Sequence, residues 1–345
     1  MSLTLKDIGE KKLISSTIKP LFNPGNNPDL SGDDCAVIRV PKSNHSISLS
    51  TDRVPADLIS FKLGIIDYYG LGYYLAVLNI SDVYASGSKP VGLLLNLAFP
   101  DDFKVKDFDQ ILLGIKNACD EYRCNVIGGD LSHSIEMSLS ATSVGVSESS
   151  RTIYRSGAKV GHLVYCSDYL GLTSTAFHYY LQAKPKGLRL SEEEESVLAN
   201  QFRNPRARAT FSEALSKHGE CVTAMDNTDG AAQSYLEIAE INNLGITLDV
   251  DQLKIHEISY KVANYINKDI VEVALGSGAD FQLLGTIDPQ TYEEHKDQLD
   301  STGMVIVGRC IAGEGIHLKR DGQVNPFEIK GWDYFSNGVL GESLS

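Results

Sequence analysis

Residues Tyr73 to Gly87 read Tyr-Tyr-Leu-Ala-Val-Leu-Asn-Ile-Ser-Asp-Val-Tyr-Ala-Ser-Gly. The stretch predicts a helix, because Leu75, Leu78, Asp82 and Ala85 recur at helical spacing on one stripe. Three of these residues are apolar or small and the fourth is an acid. A carboxylate on a core-facing stripe is costly unless something offsets its charge. No Lys or Arg lies one turn away on that stripe. A metal ion, or a cation from another segment, is the simplest partner. For a lone Asp the commoner outcome is solvation at the rim of the stripe. The balance is set by how many similar acids occur elsewhere in the chain.

Working outward, residues 1–20 predict a short amphipathic helix, and 22–33, rich in Pro, Gly and Asn, a mobile loop. Strands are expected at Ala36 to Val40 and Ser46 to Thr51, the second ending at Asp52. Residues 62–86 read as helical, weakened early by Gly64, Gly70 and Gly72. Next come a strand at Val91 to Phe99 and a helix at Val105 to Tyr122. A short strand at Asn125 to Ile127 is expected to close on a Gly128-Gly129-Asp130 turn, and a half-exposed strand follows at Glu136 to Val146. Ser, Glu and Arg cluster at Ser147 to Gly157, suggesting a division into domains 1–150 and 151–345. Strand and helix alternation then restarts, so both halves read as α/β (α+β). The charged excursion at 184–195 reads as a solvated helix start.

A chain of 345 residues with 42% hydrophobic and 22% charged residues suits a globular protein of about two domains. A net charge of −14 argues against nucleic-acid backbones and anionic membranes as partners. It does not argue against a nucleotide that arrives with its own Mg²⁺. Residues 1–19 do not read as a signal peptide, and no apolar run approaches the ~20 residues of a membrane span. The six cysteines are scattered without a CxxC pair, which points to reduced thiols in a cytoplasm.

Four segments share one grammar, an apolar element followed by Gly, Ser or Thr and then one or two acids. They are Gly32-Asp33-Asp34, Ser50-Thr51-Asp52, Gly128-Gly129-Asp130 and Asp226-Asn227-Thr228-Asp229-Gly230. Asp82 and Asp280 join them from a helix and a Gly-rich turn. Mg²⁺ takes several oxygen ligands and commonly shares them with substrate phosphates. Glycine lets a phosphate approach main-chain N–H groups. Each motif alone is ordinary turn chemistry; together they point to a Mg–nucleotide site. There is no GxxxxGK[ST] loop, no GxGxxG after a strand and no GxSxG elbow, which disfavours Walker-type ATPases, Rossmann dehydrogenases and α/β-hydrolases.

Read in order, these motifs resemble the thiamine-monophosphate kinase family. That family belongs to the superfamily of aminoimidazole ribonucleotide synthetase, selenophosphate synthetase and the hydrogenase-maturation dehydratase. The resemblance runs from Gly32-Asp33-Asp34-Cys35-Ala36, through Asn79-Ile80-Ser81-Asp82 and Arg155-Ser156-Gly157, to Lys330-Gly331-Trp332-Asp333-Tyr334-Phe335. It implies a homodimer in which the N-terminal domains build a shared β-barrel with ATP at its edge. It implies Mg²⁺ held by Asp33, Asp34, Asp52, Asp82, Asp130 and Asp226, and ATP contacted by Thr51, Gly128, Gly129, Asp130, Arg155 and Thr228. Asp226, Thr228 and Asp229 would act at the transferred phosphoryl group. Asp57, Asp280, Trp332 and Tyr334 would lie near the acceptor. The implied chemistry is phosphoryl transfer from ATP to thiamine monophosphate.

The sequence also departs from the family. Asp57-Leu58-Ile59-Ser60 lacks the family's His, Tyr74 stands at a usual Lys, and Ser277-Gly278-Ala279-Asp280-Phe281-Gln282 lacks two glutamates. Metal and nucleotide positions are kept better than acceptor positions. One alternative is another ATP-dependent enzyme of the superfamily, activating an amide, carboxylate or hydroxyl oxygen. A non-catalytic nucleotide-binding dimer is the other, and the six acids argue against it, since like charges crowd at a cost without metal.

Overall fold

A computed structural model of the chain describes residues 4–23, 25, 27–30, 32–276 and 278–328. Trp332 and Tyr334 therefore lie outside the described residues, as does Ser277. Two sheets organise the rest. The first holds β1 (Ala36–Arg39), β2 (His45–Arg53), β3 (Lys89–Phe99), β4 (Asn125–His133) and β5 (Ser138–Glu148), in the order β1-β2-β5-β3-β4. Only its β3–β4 pair is parallel. The second holds β6 (Leu163–Cys166), β7 (Val222–Asp226), β8 (Gly245–Asp249), β9 (Leu283–Ile287), β10 (Val305–Ile311), β11 (Gly315–Arg320) and β12 (Gln323–Pro326). Its order is β12-β11-β8-β10-β6-β9-β7, with β8 and β11 parallel. Helices interleave with strands in both halves, but the pairing within the sheets is mainly antiparallel.

The helix foreseen around Asp82 spans Tyr68–Ala85. Asp67 caps it, accepting a hydrogen bond from the Gly70 N–H at 3.0 Å. It is not amphipathic: every residue from Gly70 to Ala85 is buried except the half-buried Tyr74. A helix apolar on all sides belongs in the middle of a core. There Leu75 shares one hydrophobic core with Leu93 of β3, Ile115 of the neighbouring Val105–Glu121 helix, and Leu172 and Phe281 from the C-terminal half. Each such fully buried aliphatic side chain contributes about 1.5–3 kcal/mol.

Of the glycines expected to weaken this segment, Gly64, at φ +66°, does fall in a break between the short Ile59–Lys62 helix and Tyr68, whereas Gly70 and Gly72 lie inside the longer helix. A Cβ on Gly72 would fall 1.9 Å from the Ile111 carbonyl oxygen, and one on Gly114 would fall 2.0 Å from that of Tyr69. The two helices cross so closely that only glycine fits at these points.

A second correction concerns Gly128-Gly129-Asp130. The three residues do not form a turn; β4 continues through them to His133, with a register shift at Ile127 just before them. Gly129, at φ +151°, sits where a Cβ would meet the Leu95 carbonyl oxygen at 2.1 Å. Close approach to β3 demands the glycine here. The described part of the 22–33 stretch is anchored, because Asp29 accepts hydrogen bonds from Arg39 at 2.8 Å and from the Tyr154 hydroxyl at 2.5 Å. The acidic excursion ends in a helix over Glu192–Arg203, begun by a Ser191–Glu194 capping box.

Candidate active site

Three carboxylates from distant parts of the chain meet. Asp34 lies just before β1, Asp82 on the Tyr68–Ala85 helix and Asp226 at the end of β7. One oxygen from each lies within 4.8 Å of the others, and all three residues are buried. The buried Tyr68–Ala85 helix carries Asp82 against β2, β3, β5 and β7. The end of β7 brings in Asp226, and the approach to β1 brings in Asp34.

Supporting contacts hold the acids in place. The Ser50 hydroxyl donates to Asp82 Oδ2 at 2.5 Å. The Asp52 N–H donates to Asn79 Oδ1 at 3.0 Å, which fixes Asp52 beside the helix. Arg155 donates to Asp34 through Nη2 at 2.7 Å and Nε at 3.3 Å, and to Glu237 through Nη1 at 3.1 Å. Its backbone N–H donates to Asp33 Oδ2 at 2.8 Å. Arg155 is thus the cation of the cluster and is engaged by two acids.

The electrostatics follow from crowding. Burial, then the Asp226, Asp52 and Asp34 charges, push the Asp82 carboxyl well above the usual carboxylate range. Burial and the Asp34 charge do the same for Asp226, and burial raises Asp52. Asp33 is raised from 3.8 to about 7 by burial and by Asp34, against the pull of Arg155. Asp226 Oδ2 is buried and closes no hydrogen bond, although the Ser81 hydroxyl is near enough to ease its charge. A hard divalent cation fits this donor set: carboxylate oxygens only, crowded and undercompensated by one arginine. The residues that would hold it are Asp34, Asp82 and Asp226, with Asp33 and Asp52 alongside.

The remaining candidates are placed less centrally. Asp130 and both glycines lie on β4, whose residues are all exposed, at the sheet edge. The Thr51 hydroxyl pairs with that of Thr142 at 2.8 Å. Thr228 lies beside the cluster, its hydroxyl 3.5 Å from Asp226 Oδ1, and Asp229 follows half-buried. Asp57 pairs with Lys62. Asp280 accepts from the Gly171 N–H at 2.6 Å and the Thr173 N–H at 2.8 Å, which makes it an anchor for the start of the Leu172–His178 helix. Phe281 beside it holds φ +52°, unusual for a bulky residue. Its N–H bonds to the Asn227 carbonyl while the Asn227 N–H bonds to that of Gln282, clamping this turn to the Asp226 loop. Glu237 was not foreseen. Its signal was available: it lies one turn after Gln233 on the helix that follows the Asp226–Gly230 motif, and Gln233 bonds to it at 3.0 Å.

Residues 32–147 match the family described as AIR synthase related protein, N-terminal domain. A thiamine-monophosphate kinase from Pyrococcus abyssi is 29% identical over 311 residues, covering 89% of this chain and 91% of that one. The enzyme of that name from Aquifex aeolicus is 28% identical over 96% of this chain and its own full length. The solved structure of AaThiL complexed with AMPPCP and TMP superposes with a TM-score of 0.80 at 27% identity, covering 97% of this chain and 99% of that one.

Proposed function

We propose, for a chain that is a thiamine-monophosphate kinase-like member of the AIR synthase related superfamily, that it transfers a phosphoryl group from ATP to thiamine monophosphate. The observation that carries the reading is the meeting of Asp34, Asp82 and Asp226 within 4.8 Å. The relatives' names and the AMPPCP and TMP held by AaThiL supply the substrates.

A divalent cation, Mg²⁺ in this proposal, would neutralise charge on the phosphoryl groups when bound. The chain's own residues do the rest. Asp34, Asp82 and Asp226 hold the ion, with Asp33, Asp52 and Asp130 as further ligands. Arg155 limits the charge of the cluster and, when nucleotide enters, is placed to exchange one carboxylate for a phosphate oxygen. The Thr228 hydroxyl and Asp229 orient the transferred group, with Thr51, Gly128 and Gly129 against the nucleotide. The acceptor is a phosphate oxygen that is already anionic, so no strong base is required. Asp57, Trp332 and Tyr334 remain proposed acceptor contacts, and Asp280 would act through the turn it anchors.

A homodimer belongs to the same proposal. β4 is an exposed sheet edge carrying Val126, Ile127 and Leu131 at 46%, 55% and 64% exposure, a pairing liability that a second copy would cover. Leu131→Arg should shift the protein toward monomer in light scattering; an unchanged mass would move the interface elsewhere. Among the described residues no helix is long and apolar enough to cross a membrane. All six cysteines are free thiols, which supports a cytoplasmic setting.

The test is a product assay. Protein, ATP, Mg²⁺ and thiamine monophosphate should yield thiamine diphosphate and ADP in equal amounts by mass spectrometry. ADP without thiamine diphosphate would transfer the chemistry to another acceptor.

A further inference from the structure

None of the clustered carboxylates lines a separate cavity of about 780 Å³. It lies between the two halves of the molecule. Lys89 and Arg123 come from the N-terminal half, and Arg206 and Arg208 from the segment leading into the Ala209–Leu215 helix. Four cations thus converge on one concavity in a chain of net charge −14.

Their partners are few. The side chains of Arg123 and Arg206 make no hydrogen bond or ion pair among the described residues, and the Arg123 backbone N–H bonds only to the Asp120 carbonyl. Arg208 reaches Asp168 only at 3.5 Å, and its Nε–H is buried without an acceptor. Two acids also line the cavity, but each is engaged: Glu121 accepts from the Tyr73 hydroxyl at 2.7 Å, and Glu213 faces Lys89 at 3.5 Å. Arg123 holds φ +54°, a left-handed residue where glycine would be easier. The aromatic rings of Tyr122 and Phe211 supply an apolar wall.

We infer that this cavity is a second binding site, for a small phosphorylated anion. Arg123 and Arg206 contact the phosphoryl oxygens from opposite halves of the molecule, and Lys89 and Arg208 add to the positive field. The site is wired to the acid cluster. The Ser212 hydroxyl donates to the Tyr84 carbonyl at 2.5 Å, and the Ala207 N–H donates to the Tyr122 hydroxyl at 3.0 Å. Tyr84 lies two residues after Asp82 on the same helix. An anion that draws Arg123 and Arg206 together therefore biases how the halves sit, and with them Asp82 against Asp226.

Inorganic pyrophosphate is the first probe, titrated calorimetrically into the full chain at low ionic strength with chelator present, so that no metal bridges it to the acids. Binding is expected in the wild type and in Asp82→Asn. Arg123→Gln with Arg206→Gln should weaken it at least tenfold. Both arginines are exposed, and an unchanged melting temperature would confirm that the variant is folded. Lys89→Gln should give a smaller loss. AMP is the second probe: tighter binding than pyrophosphate would show that the aromatic wall takes a ring, and equal binding that the phosphoryl group alone is recognised. No binding to the wild type, or binding unchanged in the double variant, overturns the inference. So does binding lost in Asp82→Asn alone, which would place the anion at the acid cluster.

Discussion

At the scale of single residues, the site is a problem in like charge. Asp82 is held among Asp34, Asp52 and Asp226 in a buried setting, so its charge helps only when a cation is present. Asp82→Asn keeps the volume and removes the charge. Steady-state assay should find turnover reduced by at least ~100-fold, since even indirect changes at metal sites cost 10–100-fold. The same variant should be more stable than wild type without metal, by on the order of 1 kcal/mol or more in chemical denaturation. A destabilised variant would mean that Asp82 is compensated by groups other than a metal. Asp33 gives the pH dependence. Its carboxyl keeps its proton up to about 7 in the folded state, against 3.8 when free. The native state therefore binds more protons at Asp33, and the contribution of Asp33 to stability is complete below about pH 4 and is lost as the pH rises through 7. Thermal melts of metal-free protein should show this fall for wild type and a shallower one for Asp33→Asn. Equal slopes would remove Asp33 from the account.

At the scale of elements, what glycine means could not be read without neighbours. Gly72 looked like a helix weakener, yet together with Gly114 it permits the close crossing of the Tyr68–Ala85 and Val105–Glu121 helices. Gly72→Ala would force a Cβ to within 1.9 Å of the Ile111 oxygen, so the helices must separate. A loss of about 1–3 kcal/mol is expected in urea denaturation, typical of overpacking; no loss would mean that the crossing yields easily. Gly128 and Gly129 misled in the same way, because both lie within β4 rather than in a turn, and β4 needs Gly129 for its approach to the β3 backbone. The acids, by contrast, were legible. Asp52 stands at the end of a strand whose alternation is plain, Asp226 ends β7, Asp34 lies just before β1, and Asp82 stands on a helix whose apolar character is plain. Their convergence was an inference from number, and the fold supplies it. Glu237 escaped because its partner Arg155 is 82 residues away, and a helix reading alone gives no reason to join them.

At the scale of the whole molecule, the acid cluster exists only because the two halves are packed together. Asp34 and Asp82 belong to the first sheet and its helix, and Asp226 to the second sheet. The main core crosses the same boundary, joining Leu75 and Leu93 to Leu172 and Phe281. Fold class and the strand and helix alternation were visible in the chain's periodicity. The sheet orders were not, since β5 inserting between β2 and β3 depends on long-range pairing that no local pattern encodes. The central claim is that three carboxylates from these two halves hold the divalent cation used in phosphoryl transfer. The most direct measurement is anomalous diffraction from crystals of the active protein soaked in Mn²⁺. The account predicts a peak bounded by Asp34, Asp82 and Asp226, and lost in Asp82→Asn. Saturating Mn²⁺ with no peak among these carboxylates, in a protein that still turns over ATP with that metal, would contradict it.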